Sequence, residues 1–155
     1  RENVLKRALE TVSASFDVCI IDTPPSLSLL TVNALNAADG VICPTQPSAA
    51  DLRGLKMFFS TLDDMQELNP ALEVIGILPT FYDGRLNHHT AAIETLTAAG
   101  LPVLSSRIGR SVRVQEAAGH AESITKYDPT NKRAKEYNQL TNEVIQWLKK
   151  TNAKH

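Results

Sequence analysis

Short apolar runs alternate with amphipathic stretches along this chain. Continuous apolar residues predict strands buried on both faces at 16–21, 40–44 and 74–79, and a weaker strand at 102–105. Apolar residues at helical spacing predict helices at 3–14, 26–38, 48–68, 88–99, 112–119 and 129–150. Strands that alternate with helices require crossover connections. The pattern therefore predicts an α/β fold, with a doubly wound, mostly parallel sheet and helices on both of its faces.

The charge of the chain is nearly balanced. Its 155 residues include 16 Lys and Arg against 17 Asp and Glu, which gives a formal net charge of −1. Overall charge therefore does not indicate a nucleic-acid-binding protein, and any contact with DNA must come from a local basic patch. A chain of this length is expected to be one domain or a large part of one.

The cysteines and the start of the chain indicate the cellular compartment of the protein. Cys19 and Cys43 both lie in apolar runs outside any CxxC pair, so we predict buried thiols, which suit a reducing cytoplasm. No apolar run approaches the roughly 20 residues that cross a bilayer, and the start at Arg1 shows no signal-peptide pattern. Because that start also lacks an initiator Met, we expect a cut inside a longer protein.

Asp22 directly follows the apolar run at 16–21. In open α/β sheets ligands bind beyond the carboxyl ends of the strands, so a carboxylate at this point faces the ligand crevice. In P-loop nucleotidases such an aspartate holds Mg²⁺, which prefers oxygen ligands and keeps several waters. A short apolar run followed by Asp also arises by chance, and Asp22 could equally cap the helix that begins near Ser26.

Three longer stretches distinguish these alternatives. They read FDVCIIDTPPSLSLLTVNALNAADGVICPTQPSAADLRGL, VIGILPTFYDGR and RIGRSVRVQEAAGHAESITKYDP. Together they resemble the ParA/Soj/MinD group of deviant Walker ATPases, and ParA/Soj most closely. The resemblance implies a P-loop NTPase fold. Residues 1–155 contain no GxxxxGK[ST] phosphate loop, so they would be the C-terminal part of one ParA-type domain, incomplete at its N-terminal side.

The resemblance also implies a function. It is that of an Mg²⁺- and ATP-dependent ATPase that segregates plasmids or chromosomes. In this family ATP drives formation of a homodimer, the dimer binds DNA without sequence preference, and a ParB-type partner stimulates hydrolysis. The implied location is cytoplasmic and nucleoid-associated, without stable membrane association. Without the phosphate loop, this piece alone is expected to be inactive.

The family's site residues transfer to matching positions. Asp22 resembles the catalytic Walker B acid that holds Mg²⁺, through water. Thr23, Pro24 and Pro25 resemble the adjoining switch segment that senses the γ-phosphate. The positions that would hold the adenine are Thr80, Ile108, Gly109, Arg110 and Ser111. The family often has Pro and Asn where this chain has Gly109 and Ser111.

Four arginines are candidates for contact with DNA: Arg85, Arg107, Arg110 and Arg113. Because Arg110 and Arg113 are spaced i and i+3, we expect them to lie on one side of a helical turn. Such a cluster can neutralise phosphates without reading bases. The alternative is a solvated face with ordinary salt bridges, for instance to Glu116.

Two other functions are alternatives to the partitioning ATPase. A MinD-like regulator of the division site would use the last helix at a membrane, where Trp147 and the neighbouring lysines suit the interface. The apolar stripe of that helix is explained equally well by packing on a sheet. A non-catalytic module that binds DNA or a partner is the second alternative. His88 and His89 have no Cys or carboxylate at metal-ligand spacing, which argues against a zinc site.

Overall fold

The computed structural model describes residues 1–24, 26 and 28–153. The helices are α1 (Val4–Glu10), α2 (Leu29–Ala37), α3 (Ala49–Leu68), α4 (Asn87–Ala98), α5 (Val112–Gly119), α6 (Ile124–Tyr127) and α7 (Lys132–Asn152), and a short 3-10 helix covers Ser13–Ser15. Strands β1 (Gly40–Thr45) and β2 (Glu73–Pro79) pair with each other. Isolated parallel bridges join Ile77 to Val103 and Thr80 to Ile108. The predicted α/β fold with a parallel sheet is thus confirmed.

The chain divides into two compact units. The first comprises Arg1–Val41 and Lys56–Val74, and the second comprises Ile42–Leu55 and Ile75–His155. In the first unit a core forms around Leu35, Leu62 and Leu72, which are almost fully buried. Phe58, Phe59 and Met65 pack against that core because, with Leu62, they recur on one face of α3.

Asn69 closes the C-terminal end of α2 in the first unit. Its side-chain amide donates to the carbonyl oxygens of Leu35 at 3.0 Å and Ala38 at 2.8 Å. The last carbonyls of a helix have no partner within the helix, so a side chain from elsewhere satisfies them here. Because Asn69 is only 6% exposed, these bonds lie largely out of contact with water.

In the second unit, α7 packs through its N-terminal half. Ala117, Ile124 and Ala134 form a buried cluster, and Tyr137 packs against it. Ala134 and Tyr137, the first two residues of the predicted apolar stripe of the last helix, therefore pack against α5 and α6. The helix begins at Lys132, three residues later than predicted, because Asn131 acts as N-cap and accepts from the Arg133 amide at 2.9 Å.

The predicted buried strand at 16–21 is wrong in this structure. No strand is assigned there, and the side chains of Phe16, Val18 and Ile20 are 69%, 52% and 91% exposed. Apolar character favours burial, but a strand also needs a neighbour that completes its hydrogen-bond ladder. Within the described ranges of the chain, no strand pairs with this run.

The two cysteines differ in exposure, so one of the two predictions of a buried thiol is wrong. Cys43 is buried in β1, and burial raises the pKa of its thiol to about 12. Cys19 is exposed because it lies in the unpaired run at 16–21. The helix predicted from Ser26 also begins later, at Leu29, with Ser28 in the N-cap position.

Membrane-spanning helices and clusters of metal-binding side chains are absent from the described residues. Over the described part of the chain, no helix combines the length and the apolar character that crossing a membrane demands. Nor do these residues bring together three or more His, Cys, Asp or Glu side chains in a group fit to bind a metal.

Candidate nucleotide and DNA site

Asp22, Thr23 and Pro24 lie in the first unit and are exposed to solvent. Pro25, the third residue of the predicted switch segment, lies outside the described residues. Asp22 does not follow an assigned strand, since the run before it is unpaired. What the structure offers here is one carboxylate and one hydroxyl open to water. This donor set fits Mg²⁺, which binds through few carboxylates and retains its waters.

Thr80 and Ile108 meet at the end of β2 in the second unit. The Ile108 amide donates to the Pro79 carbonyl at 2.9 Å, and the Tyr82 amide donates to the Ile108 carbonyl at 3.0 Å. The Thr80 amide in turn donates to Thr45, the last residue of β1, at 2.9 Å. Two parts of the predicted base site, Thr80 and the segment 108–111, are therefore side by side.

Gly109 is in close contact with α7. Its amide donates to Glu136 Oε2 at 3.0 Å, and a Cβ at this position would lie 1.3 Å from a guanidinium nitrogen of Arg133. Arg133 and Glu136 pair at 3.1 Å and are 14% and 17% exposed. Gly109 thus leaves room for the Arg133 side chain. The sequence pattern did not reveal Arg133 or Glu136, which lie more than 20 positions further along the chain.

Two arginines of the predicted cluster stack on aromatic rings. The Arg107 guanidinium carbon lies 4.7 Å from the centre of the Tyr82 ring, and a guanidinium nitrogen donates to the Tyr82 hydroxyl at 2.8 Å. Arg110 lies 5.3 Å from the Phe81 ring centre, and Phe81 has a positive φ of 50°. Over the part of the chain that the structure describes, neither arginine forms a salt bridge. Both keep their charge available for an anion.

Arg85 is held by a carboxylate that sequence reasoning did not single out. Its Nε and one terminal nitrogen donate to Asp83 at 3.0 and 2.7 Å, although Arg85 is 90% exposed. The side-chain hydrogen bonds from Arg85 hold the pKa of Asp83 well below its usual range, and they raise the pKa of Arg85. Asp83 and Arg85 are two positions apart in the sequence, and this spacing could have indicated the pair.

Arg113 has two carboxylate partners. It contacts Glu116 at 2.7 Å and Asp128 at 3.3 Å, so the salt bridge to Glu116 that the alternative interpretation named is present. The prediction that Arg110 and Arg113 share one helical turn is wrong. The helix α5 begins only at Val112, because the Ser111 hydroxyl accepts from the Arg113 amide as N-cap.

Comparison with known proteins identifies relatives of this chain. The AAA domain family matches residues 1–74. The sporulation initiation inhibitor protein Soj of Bacillus subtilis is 42% identical over 146 residues, which cover 93% of this chain and 58% of that protein. The chromosome-partitioning ATPase Soj of Thermus thermophilus is 39% identical over 132 residues, which cover 84% and 53%. The chain is homologous to the Soj/ParA chromosome-partitioning ATPases. It spans just over half the length of these two relatives.

Solved structures share the fold of this Soj/ParA homologue. The cell division ATPase MinD from Pyrococcus furiosus superposes with a TM-score of 0.77 over 95% of this chain and 59% of that one, at 21% identity. Cobyrinic acid a,c-diamide synthase from Mycobacterium smegmatis gives a TM-score of 0.66 at 44% identity over 71% of this chain and 46% of that one. The latter structure contains ADP and magnesium.

Proposed function

We propose that this chain forms part of an Mg²⁺- and ATP-dependent ATPase that segregates plasmids or chromosomes. The observation that carries the proposal is the 42% identity to a Soj protein over 93% of the chain. That match includes the segment from Asp22 to Pro25, for which the family resemblance implies contact with the metal and the γ-phosphate. Structures of related proteins with ADP or an ATP analogue and magnesium support the choice of ligand.

The candidate site residues form two groups, one for the metal and the γ-phosphate and one for the adenine. Asp22 would hold Mg²⁺ through water, and Thr23 to Pro25 would respond to the γ-phosphate. Thr80, with Ile108 to Ser111, would hold the adenine. Bound Mg²⁺ would neutralise charge on the β- and γ-phosphates. Residues 1–155 contain no glycine-rich loop with a lysine, so the phosphate cradle is not among them.

The arginines would bind DNA through its phosphates. Arg85, Arg107, Arg110 and Arg113 all belong to the second unit, and three of them lie within 107–113. Contacts from guanidinium groups to phosphate carry no base information, so binding would be sequence-tolerant and dependent on salt. ATP-driven dimerisation and stimulation by a ParB-type partner complete the proposal.

The test uses the complete gene product that contains this chain. We expect ATP, but not ADP, to retain the protein on duplex DNA of unrelated sequences, and we expect slow hydrolysis that DNA and a partner accelerate. Retention on anionic vesicles without retention on DNA would favour the MinD-like alternative. Binding to DNA without any binding of ATP would favour the non-catalytic module and would overturn the ATPase assignment.

A further inference from the structure

Two carboxylates of α7 accept hydrogen bonds from the backbone just before and within the predicted base segment. Glu143 Oε1 accepts from the Ser105 amide at 2.9 Å and from the Ser105 hydroxyl at 2.8 Å, and its Oε2 accepts from the Ser106 amide at 2.9 Å. Glu136 Oε2 accepts from the Gly109 amide at 3.0 Å. Glu136 and Glu143 are seven residues apart, so they lie two turns apart on one face of the helix.

From its other side, the segment is joined to β2. Ile108 forms two backbone hydrogen bonds, one to Pro79 at the end of β2 and one from Tyr82 in the loop that follows, and it is 6% exposed. Residues 105–109 are thus held between a strand and a helix. The helix itself is fixed, because Ala134 and Tyr137 pack in the cluster with α5 and α6. A shift of α7 would therefore move residues 105–109 directly.

The chemistry of these bonds makes them selective for a carboxylate. A charged acceptor binds amides about twice as strongly as a neutral one, and one carboxylate can accept several donors at once. A glutamine has only one acceptor oxygen, and its NH₂ would face a donor. Burial by itself would raise the pKa of Glu143, but the donors of Ser105 and Ser106 outweigh burial and hold the pKa below its ordinary value. Glu143 is therefore ionised at neutral pH.

We propose that Glu136 and Glu143 are positioning residues for the nucleobase: they fix the backbone of residues 105–109, so that Thr80 and Ile108 to Ser111 can distinguish adenine from guanine. This inference rests on the proposed function, in which these residues contact the base. The triphosphate would be bound elsewhere. Loosening the segment should therefore weaken the preference for ATP over GTP, while the affinity for GTP, held by its phosphates, should change little.

The experiment compares Glu136→Gln, Glu143→Gln and Glu94→Gln in the complete protein. Glu94 lies exposed on α4, outside both α7 and residues 105–109, and its replacement removes the same charge. Titration with fluorescent ATP and GTP gives the affinity ratio, and hydrogen exchange at residues 105–109 reports the backbone bonds. Since a hydrogen bond to a charged group contributes about a factor of ten, we expect each of the first two variants to lower the ratio about tenfold. Glu94→Gln should match the wild type.

Each outcome decides the inference. Faster exchange at Ser105 and Ser106 in Glu143→Gln, or at Gly109 in Glu136→Gln, together with a lower ATP/GTP ratio, supports it. Faster exchange with an unchanged ATP/GTP ratio overturns it, because the hydrogen bonds would then stabilise the fold alone. Unchanged exchange also overturns it. Should Glu143→Gln fail to fold, Glu136→Gln decides by the same readouts. A wild-type protein that binds neither nucleotide overturns the proposed function itself, and that result is seen before any variant is made.

Discussion

The ion pair between Asp83 and Arg85 allows the proposed DNA contact to be tested by removing the negative charge next to Arg85. Asp83→Asn removes the carboxylate that neutralises Arg85. The asparagine retains an oxygen that can accept from the Arg85 amide, as Asp83 does at 3.0 Å, so the local turn should persist. The variant should therefore free one guanidinium without changing the loop, whereas Arg85→Ala would remove the guanidinium and leave Asp83 unpaired.

The magnitude follows from counting charges. Each phosphate that a guanidinium neutralises adds about 0.9 to the slope of log affinity against log salt. In an exposed ion pair such as this one, with Arg85 90% exposed, Asp83 reduces the attraction of Arg85 for a phosphate only weakly. We therefore expect Asp83→Asn to tighten DNA binding by about two- to fivefold at low salt and to steepen the slope by up to about 0.9. Arg85→Ala should weaken binding and flatten the slope.

Fluorescence anisotropy with a labelled duplex, titrated at several salt concentrations in the presence of ATP, measures both quantities. The double variant Asp83→Asn/Arg85→Ala is the matched control, because it lacks both charges of the pair. It should bind more weakly than Asp83→Asn alone. Equal binding by the single and double variants would refute the role of Arg85 in DNA contact.

Three further predictions concern stability and reactivity. In the 155-residue chain, Cys19 should react rapidly with a thiol reagent and Cys43 slowly, since Cys43 is buried with a pKa near 12; equal rates would contradict the exposure of the run at 16–21. Asn69→Ala should lower the free energy of unfolding by roughly 2–3 kcal/mol in urea titrations, because two helix-end carbonyls lose their donor; a change below about 0.5 kcal/mol would argue against these bonds. The lowered pKa of Glu143 stabilises the folded state at pH values well above 4.5, and this contribution is lost as the pH falls through the folded-state pKa below 4.5. The stability difference between wild type and Glu143→Gln should therefore shrink from pH 7 to pH 3.5, and a difference independent of pH would contradict the reasoning.

The helices followed from local signals, and so were accessible to sequence reasoning. The helix at 112–119 was predicted with the bounds observed, and the structure shows Ser111 as its N-cap. For α3, Ser48 and the Asn69-Pro70 pair marked the ends within one residue. The strand at 16–21 was not realised because pairing depends on a neighbour that local apolarity does not specify. The one-turn helix α6 was missed because four residues carry too short a periodic signal.

The candidate site was predicted unevenly for a similar reason. The resemblance supplied Thr80 and Ile108, and the structure brings them together. The contacts that shape the segment come from Arg133, Glu136 and Glu143, which lie far along the chain and carry no motif. Only tertiary packing of α7 brings them to Gly109 and its neighbours, so no spacing rule could have indicated them.

Asp22 is proposed to hold the Mg²⁺ of a bound nucleotide. The direct measurement is the Mg²⁺ dependence of ATP binding by the complete protein, by calorimetry, for Asp22→Asn and for Asp17→Asn as the matched control in the same segment. A carboxylate that holds the metal through water contributes about 10- to 100-fold to metal affinity. We expect Asp22→Asn to lose Mg²⁺-dependent ATP binding by that factor while Asp17→Asn keeps it. Equal Mg²⁺-dependent binding by both variants would contradict the account.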